Sequence, residues 1–282
     1  MNILTFDIEE WFHLLDNSST KTQYEWKKYP TRIHKNMDLI FDLLDKHNVK
    51  ATFFCLGWLA NKHPEVIKSI VQRGFDIGSH TYSHQLIYTQ NRNEFNQDVV
   101  KSIKVLEDLT GKKITKFRAP GFSLNEKTKW AFEVLYELGI QIDASIFPAK
   151  RAHGGMQLHS ISTPTIIRYN GVTLKEMPMN IHKTFLKPVV FSGGGYFRLT
   201  PYSIIKYFSS KSKYIMTYFH PRDFDLYQPR IKELSIMRRF KSYVGIKGAY
   251  DKLSTWLKNY KFIDIEDANM MIDWNKVKII NL

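Results

Sequence analysis

Two histidines, His80 and His84, lie four residues apart directly after a short apolar run at residues 75–78. On one helical turn this spacing places both imidazole rings on the same side, where they can bind one cation. The pattern is weak by itself, because a chain with 10 histidines contains such a pair readily by chance. Two unrelated surface histidines are the alternative, and the rest of the chain has to decide.

Other polar side chains recur where predicted strands end. They are Asp7, Glu9 and Glu10 after the first strand, Arg118 and Gly121 after the fourth, Asp143 and Ser145 after the fifth, and His220 after a strand near residue 217. Taken singly, each of these residues can be explained by a structural role, as a helix cap, a member of an ion pair or part of a turn. Because parallel strands bring their carboxyl ends to one edge, together they supply the ligands, base, acid and charge that a metal-assisted hydrolase requires.

The elements that must position these residues follow from apolar periodicity. Strands are predicted at residues 3–8, 51–56, 75–79, 116–119 and 141–145, and helices at residues 33–47, 64–73, 93–110 and 126–138. This alternation predicts an α/β fold with a parallel sheet between helices. The alternation does not decide whether the sheet closes into a barrel.

The alternation stops over residues 148–201, which are rich in turns. Two β-like runs flank Asn170 and Gly171 and predict a hairpin, which we interpret as an insertion over the open end of the sheet. The α/β pattern resumes with a helix at 201–209, a strand at 214–219, a helix at 230–258 and a strand at 262–265. We therefore expect one domain over residues 1–282, with an insertion at about 148–200 and a C-terminal helix and strand at about 230–267.

Composition favours a globular protein, since 43% of the residues are hydrophobic and 14% are aromatic. The single cysteine, Cys55, excludes an intrachain disulfide and lies in an apolar run, so we expect a buried, unreactive thiol. The N-terminus carries no basic and apolar leader, and no run of eighteen apolar residues is present. These features predict a soluble cytoplasmic protein.

The net charge of +14 is compatible with nucleic acid, an anionic lipid surface or an acidic glycan as partner. Nucleic acid is the weakest of these, because the lysines are dispersed and no recognition motif is present. The best basic patch lies on a predicted helix, which suggests peripheral contact with a membrane surface. Its residues are Arg238, Arg239, Lys241, Lys247 and Lys252.

Five short motifs resemble, in order and separation, those of the polysaccharide deacetylases, the NodB-homology family or carbohydrate esterase family 4. They are Thr5-Phe6-Asp7-x-Glu9, His80-Thr81-x-x-His84, Arg118-x-Pro120-Gly121, Asp143-x-Ser145 and Tyr218-x-His220. Residues 7–12, 193–199 and 220–230 further resemble the branch found with exopolysaccharide gene clusters. The resemblance extends from residue 3 to about residue 267.

The resemblance implies a distorted (β/α)7 barrel that holds a divalent metal. The metal is expected to be Zn²⁺, with Co²⁺ or Ni²⁺ as alternatives, and its ligands map to Glu9, His80 and His84. The more usual motif has two consecutive aspartates, whereas here Ile8 follows Asp7 and the carboxylate ligand is displaced by one position. Glu10 therefore remains a competing ligand if the end of the strand is kinked.

The resemblance also implies the catalytic roles. Asp7 would be the general base that activates water, with Arg118 paired to it. His220 would be the acid that protonates the leaving amine, with Asp143 orienting its ring. The backbone N–H of Gly121 would be an oxyanion donor.

Substrate contacts are less defined by the motifs. Trp11, Tyr196 and Tyr218 are candidates for a sugar-stacking surface, although aromatic residues beside strand ends more often pack in the core. Tyr218 replaces the leucine that is usual two residues before the last histidine, so we expect the pocket for the acetyl methyl group to differ in shape. Arg151 lies in a basic loop after the fifth strand and is a further candidate.

Together these features predict a metal-dependent hydrolase that removes N-acetyl groups from amino sugars of a polysaccharide or of a glycan precursor. One alternative is hydrolysis of another C–N amide bond. The other is a non-catalytic glycan-binding protein on the same scaffold, which loss of the metal would favour. The sequence leaves the sugar, the linkage and the oligomeric state open.

Overall fold

The computed structural model of the chain describes residues 1–15, 17–149, 153–156, 161–182 and 189–282. Its strands are β1 (Asn2–Ile3), β2 (Thr5–Ile8), β3 (Thr52–Cys55), β4 (Asp76–Ser79), β5 (Lys116–Phe117), β6 (Ile142–Asp143), β7 (Thr165–Tyr169), β8 (Val172–Glu176), β9 (Ile215–Met216) and β10 (Lys278–Asn281). Its helices are α1 (Gln23–Trp26), α2 (Ile33–His47), α3 (Gly57–Lys62), α4 (Pro64–Gln72), α5 (Arg92–Thr110), α6 (Trp130–Glu137), α7 (Gly194–Leu199), α8 (Tyr202–Lys211), α9 (Ile236–Tyr243), α10 (Ala249–Asn259) and α11 (Ile265–Met271).

The strands form a mostly parallel sheet, as the alternation of elements predicts. Its order is β10-β7-β8-β6-β5-β4-β3-β2, and β9 pairs with β1. Only the β7–β8 pair among these is antiparallel. The backbone N–H of Asp7 donates to the carbonyl of Phe219 at 2.7 Å, so the chain after β9 flanks β2 on the side opposite β3. The α/β class is thus confirmed, while closure into a seven-stranded barrel stays a prediction.

The predicted hairpin exists but is not an insertion over the end of the sheet. Asn170 and Gly171 have φ values of 46° and 85°, which suit the two-residue turn of a hairpin. However, β8 pairs in parallel with β6, and β10 pairs with β7, so the hairpin extends the sheet. Its apolar side chains Ile167 and Leu174 are buried in a cluster with residues of α6, which only a position within the sheet allows.

The C-terminal region differs from the prediction in two respects. The helix expected at residues 230–258 is two helices, α9 and α10, because Gly245 and Gly248 between them have φ values of 70° and 87°. A side chain at Gly245 would place its Cβ 2.4 Å from the carbonyl oxygen of Arg198. The strand expected at 262–265 is a single bridge from Ile263 to Ile3, and β10 was not predicted.

Local signals explain the well-predicted helices. α2 buries an apolar stripe that contains Ile33, Met37 and Ile40, and it ends at Asn48 in the left-handed conformation. Cys55 is fully buried, and burial raises the pKa of its thiol, as expected for an unreactive cysteine. Among the helices of the described residues, none has both the length and the apolar character needed to cross a bilayer.

Candidate active site

His80 and His84 are held by a loop and not by the helical turn assumed from their spacing. His80 directly follows β4, and Thr81 and His84 have positive φ values of 66° and 54°. Asp98 on α5 accepts hydrogen bonds from the backbone N–H groups of Tyr82 at 2.8 Å and Ser83 at 3.1 Å. This anchored loop places the ring centres of the two imidazoles 5.4 Å apart.

Glu9 completes a buried group with these histidines. Its carboxylate oxygen Oε2 lies 2.8 Å from Nε2 of His84, and the donor atoms of Glu9, His80 and His84 all lie within 4.8 Å of one another. Nδ1 of His80 lies 2.7 Å from the carbonyl oxygen of Arg118, so that its proton is used there and Nε2 is left to face a cation. One carboxylate and two imidazoles form a donor set that zinc commonly takes, and a divalent ion therefore fits this group.

Burial and charge set the protonation of the group. Burial lowers the pKa of His80 to about 4, which outweighs the opposite effect of Asp7 and favours the neutral, ligating form. Burial acts against ionisation of Glu9, but the positive charges of His84 and His220 outweigh it and hold the pKa of Glu9 below its ordinary value. Both directions favour the protonation states that metal ligands need.

Glu10, the competing ligand, turns away from the histidines. Its Oε1 accepts hydrogen bonds from the backbone N–H groups of Arg32 at 2.9 Å and Ile33 at 3.1 Å, and from the hydroxyl of Thr31. The side chain thus caps the N-terminus of α2, where a negative charge is favourable. The end of β2 therefore directs only Glu9 toward the histidine pair.

Asp7 and Arg118 form a buried ion pair beside this group. Nη1 of Arg118 lies 2.8 Å from Oδ1 of Asp7 and also donates to Oγ1 of Thr5 at 2.6 Å. The Arg118 side chain is fully buried, with its guanidinium 4.3 Å from the ring centre of Phe54. Removal of either partner from such a buried pair costs ~3–5 kcal/mol.

His220 lies on the other side of the carboxylates. Its Nε2 is 3.1 Å from Oε1 of Glu9 and 3.9 Å from Oδ2 of Asp7. Its Nδ1 is 3.3 Å from Oδ2 of Asp223, and Nε of Arg198 is 3.0 Å from the second oxygen of that carboxylate. These contacts form a buried relay from Arg198 through Asp223 to His220.

The relay keeps His220 protonated. Burial opposes the charge of His220, but the hydrogen bond to Asp223 and the charge of Glu9 outweigh it and raise its pKa to about 9. Burial likewise opposes ionisation of Asp223, but the charge of Arg198 outweighs it and lowers that pKa to about 2. Sequence reasoning missed Asp223, although an acid three residues after His220 at the start of a turn is a recognisable capping pattern.

Asp143 does not orient His220, and that prediction is wrong. Its Oδ1 accepts a hydrogen bond from the hydroxyl of Ser145 at 2.5 Å, and it faces Glu176 across the β6–β8 pair. Burial raises the pKa of Asp143 to about 6 and that of Glu176 well above its ordinary value. Among the contacts of the described residues, none joins Asp143 to His220, whose carboxylate partner is Asp223.

The aromatic candidates divide by burial. Trp11 is only 1% exposed and donates its indole N–H to the carbonyl of Pro30 at 2.9 Å, so the prediction that it stacks on a sugar is wrong. Tyr218 is also buried, but its ring centre lies 6.0 Å from that of His220, edge to face, which makes it a wall of the site. Tyr196 is 46% exposed. Arg151 lies outside the described residues.

Two glycine segments fit closely around the site. Gly121, three residues after Arg118, has a φ of 59°, and a Cβ there would lie 2.7 Å from the end of the Leu15 side chain, so a side chain at this position would be strained. A Cβ on Gly193 would lie 2.0 Å from the carbonyl oxygen of Tyr218. The oxyanion role of Gly121 stays a prediction.

A cleft opens beside His84. Its volume is ≈ 520 Å³, within the range of ligand-binding clefts. Its lining includes Leu14, Leu15, Trp26, His84, Leu86 and Tyr88. Sequence reasoning also missed His13, which packs between Trp26 and His84. Its ring centre lies 4.2 Å from that of Trp26 and 5.8 Å from that of His84. The cleft thus reaches one of the candidate ligands from the solvent.

Comparison with known proteins divides the chain into two matched segments. Residues 4–142 match the polysaccharide deacetylase family model, and residues 144–269 match a domain of unknown function (DUF3473). A peptidoglycan-N-acetylglucosamine deacetylase of Bacillus cereus is 42% identical over 95 residues, which cover 33% of this chain and 34% of that protein. The chain thus matches only about a third of that relative's length.

Solved structures show the same fold at low sequence identity. A candidate polysaccharide deacetylase from Mycobacterium smegmatis superposes with a TM-score of 0.67 and 17% identity, covering 100% of this chain and 92% of that chain. A CE4 family pseudoenzyme from Bacillus anthracis superposes with a TM-score of 0.52 and 15% identity, covering 99% and 66%. Residues 4–142, just under half of the chain, therefore form a polysaccharide deacetylase domain.

Proposed function

We propose that this protein is a metal-dependent hydrolase that removes N-acetyl groups from amino sugars in a polysaccharide or a glycan precursor. The observation that carries the proposal is the convergence of Asp7, Glu9 and His220, whose carboxylate and imidazole atoms lie 3.1–3.9 Å apart next to His80 and His84. The name of the Bacillus cereus relative, a peptidoglycan-N-acetylglucosamine deacetylase, supports N-acetylglucosamine as the sugar.

Glu9, His80 and His84 would hold the metal. A divalent ion there supplies a Lewis acid that polarises the amide carbonyl and makes water a better nucleophile. The donor set suits Zn²⁺, with Co²⁺ or Ni²⁺ as alternatives that accept the same ligands.

Asp7 is the general base in this proposal. Its Oδ1 is engaged by Arg118 at 2.8 Å, while Oδ2 is the oxygen that faces His220 at 3.9 Å. The ion pair thus orients the carboxylate and leaves Oδ2 to accept a proton from the attacking water. The guanidinium also compensates the negative charge that would otherwise be buried alone.

His220 is the general acid. Its pKa of about 9 keeps the imidazole protonated at neutral pH, and Nε2 faces the reacting side while Nδ1 is held by Asp223. A protonated imidazole can give its proton to the departing amine, which is a poor leaving group without one. Tyr218 beside His220 forms the wall against which the acetyl group would lie.

The test compares metal content and acetate release. Protein stripped of metal and reloaded with Zn²⁺ is assayed on oligomers of N-acetylglucosamine, as wild type, Asp7→Asn and His84→Ala. We expect acetate release only with metal, loss of metal and activity in His84→Ala, and retained metal with ~10²–10⁴-fold lower activity in Asp7→Asn. His47→Ala serves as control, because His47 is at the end of α2 and its ring is hydrogen-bonded to Ser254 on α10.

The existence of a pseudoenzyme with this fold makes the negative result informative. Fully metal-loaded wild type that binds the oligomers but releases no acetate would contradict the deacetylase and favour a glycan-binding protein. Release of ammonia or another amine from non-acetyl amides, with no acetate, would instead favour hydrolysis of a different C–N bond.

A further inference from the structure

A second group of metal-binding side chains lies apart from the active-site group. His34 is in the first turn of α2, His63 lies between α3 and α4, and Glu65 is in the first turn of α4. One donor atom from each lies within 4.8 Å of the others, and the two imidazole ring centres are 5.0 Å apart. Nothing in the proposed reaction uses these residues.

The distances within this group match those between ligands of one ion. Nε2 of His34 and Nδ1 of His63 lie 3.4 Å and 3.5 Å from the same oxygen, Oε1 of Glu65. Both distances exceed the usual range for N–H···O hydrogen bonds, which is about 2.7–3.2 Å. Two ligands that each lie about 2.0–2.1 Å from a tetrahedral zinc are about 3.3 Å apart, so the observed spacing suits a shared ion.

The hydrogen bonding of His63 adds an independent reason. Its Nε2 lies 3.4 Å from Oγ1 of Thr31, and the hydroxyl of Thr31 donates to Glu10. A hydroxyl has one proton, and that of Thr31 goes to Glu10, so the long contact with His63 favours the neutral tautomer that carries its proton on Nε2. Nδ1 then presents a lone pair toward the carboxylate of Glu65. A cation between these two acceptors would satisfy both of them.

The contact between His63 and Thr31 also resembles the surroundings of many metal-binding histidines. A ligating histidine commonly donates its second ring N–H to an oxygen, which sets its tautomer and its orientation. Here the series continues from Thr31 to Glu10, the residue next to Glu9. The group is therefore connected through the contacts of Thr31 to the end of β2.

We propose that His34, His63 and Glu65 form a second metal site that takes Zn²⁺ from solution. Their side chains are 44%, 13% and 58% exposed, so the ion would reach the site without rearrangement and keep an open position toward solvent. Imidazole nitrogen and carboxylate oxygen suit zinc better than calcium or magnesium. An ion here would join α2 to α4 and stabilise the start of α2. The inference does not depend on the proposed deacetylase activity.

The test counts zinc in variants that separate the two sites. Metal-free protein is equilibrated with Zn²⁺, freed of unbound ion and analysed for metal content. We expect about two ions per chain in the wild type, about one in His80→Ala, and close to none in His80→Ala combined with His34→Ala or with Glu65→Gln. His47→Ala, which removes a histidine from the last turn of the same helix, should leave the content of His80→Ala unchanged.

Thermal unfolding supplies a second readout. In the His80→Ala background, zinc at a hundredfold excess over its dissociation constant should raise the melting temperature by several degrees, and Glu65→Gln should abolish this rise. The exposed Glu65 makes a folding failure of that variant easy to detect by circular dichroism. If His34→Ala and Glu65→Gln retain the zinc content and the temperature rise of their parent, the site does not exist. Loss of both, with acetate release unaffected in the His80-intact proteins, supports the site independently of the catalytic proposal.

Discussion

Replacing Asp223 by asparagine should lower the pKa of His220 while leaving the metal ligands in place. Asp223 contacts the imidazole through Nδ1 at 3.3 Å and accepts from the backbone N–H of His220 at 2.9 Å. Asparagine has nearly the same shape and can still accept one hydrogen bond. The main effect of the substitution is therefore the loss of one negative charge from the relay.

The size of the expected pKa change follows from the distance between Asp223 and His220 and from the raised pKa of His220. Opposite unit charges 3.3 Å apart attract by ~5 kcal/mol at an effective dielectric constant of ~20, before the cost of burial is subtracted. The rise of the His220 pKa from 6.5 to about 9 corresponds to a net ~3 kcal/mol, shared among Asp223, Glu9 and Asp7. Loss of the Asp223 charge should therefore lower the pKa by about one unit or slightly more.

The direction of the pKa change determines how the activity of the variant depends on pH. His220 is the acid in the proposed reaction, so activity falls as pH rises through its pKa. In Asp223→Asn the alkaline limb of the kcat profile should move to lower pH by about one unit, while kcat at neutral pH and KM change little, because the lowered pKa still lies above 7. The raised pKa also stabilises the fold below pH 6.5, and that contribution disappears as pH rises through about 9.

The assay is acetate release by Zn²⁺-loaded protein across the pH range, with metal content measured in parallel. Asp225→Asn is the matched control, because Asp225 is equally buried and ion-paired to Arg32 but has no place in the relay. Asp223→Asn loses ionic contacts with Arg198 and His220, whereas Asp225→Asn loses the contact with Arg32 alone, so the control reports the effect of removing a buried charge outside the relay. If Asp223→Asn keeps the wild-type alkaline limb, or if Asp225→Asn shifts it equally, the assignment of the relay is refuted.

Three further outcomes follow from the contacts of the site and its surroundings. Glu9→Gln should lower zinc affinity ~10²-fold, and unchanged affinity in equilibrium dialysis would remove Glu9 from the ligands. Glu176→Gln should stabilise the fold at about pH 9 more than at about pH 5, since a carboxyl with a raised pKa loses its contribution to stability as pH rises; equal differences in melting temperature would contradict this. Trp11→Ala should destabilise the fold by ~3–5 kcal/mol, whereas Tyr196→Ala should leave stability unchanged and, if its exposed ring contacts the glycan, raise KM; denaturant titration and kinetics distinguish the two.

Local patterns predicted most of the first half of the fold. The bounds of α2 agree with the prediction because an apolar stripe and a terminal asparagine define them within the helix itself. The hairpin at Asn170 and Gly171 was found for the same reason, since both residues adopt the positive φ that this turn needs. The parallel pairing of β8 with β6 was not predicted, because no local pattern encodes which distant strand lies beside a hairpin.

The candidate site shows the same division. The sequence by itself determined which residues could ligate a metal or transfer a proton, and the order of strand ends was enough to group Glu9, His80, His84 and His220. Only the tertiary structure decided that Asp223 and not Asp143 partners His220, and that Trp11 is buried. Both outcomes depend on packing between segments far apart in the chain: Arg198 on α7 neutralises Asp223, while β8 brings Glu176 against Asp143. The chemistry of a side chain is local, but its partner is chosen by the fold.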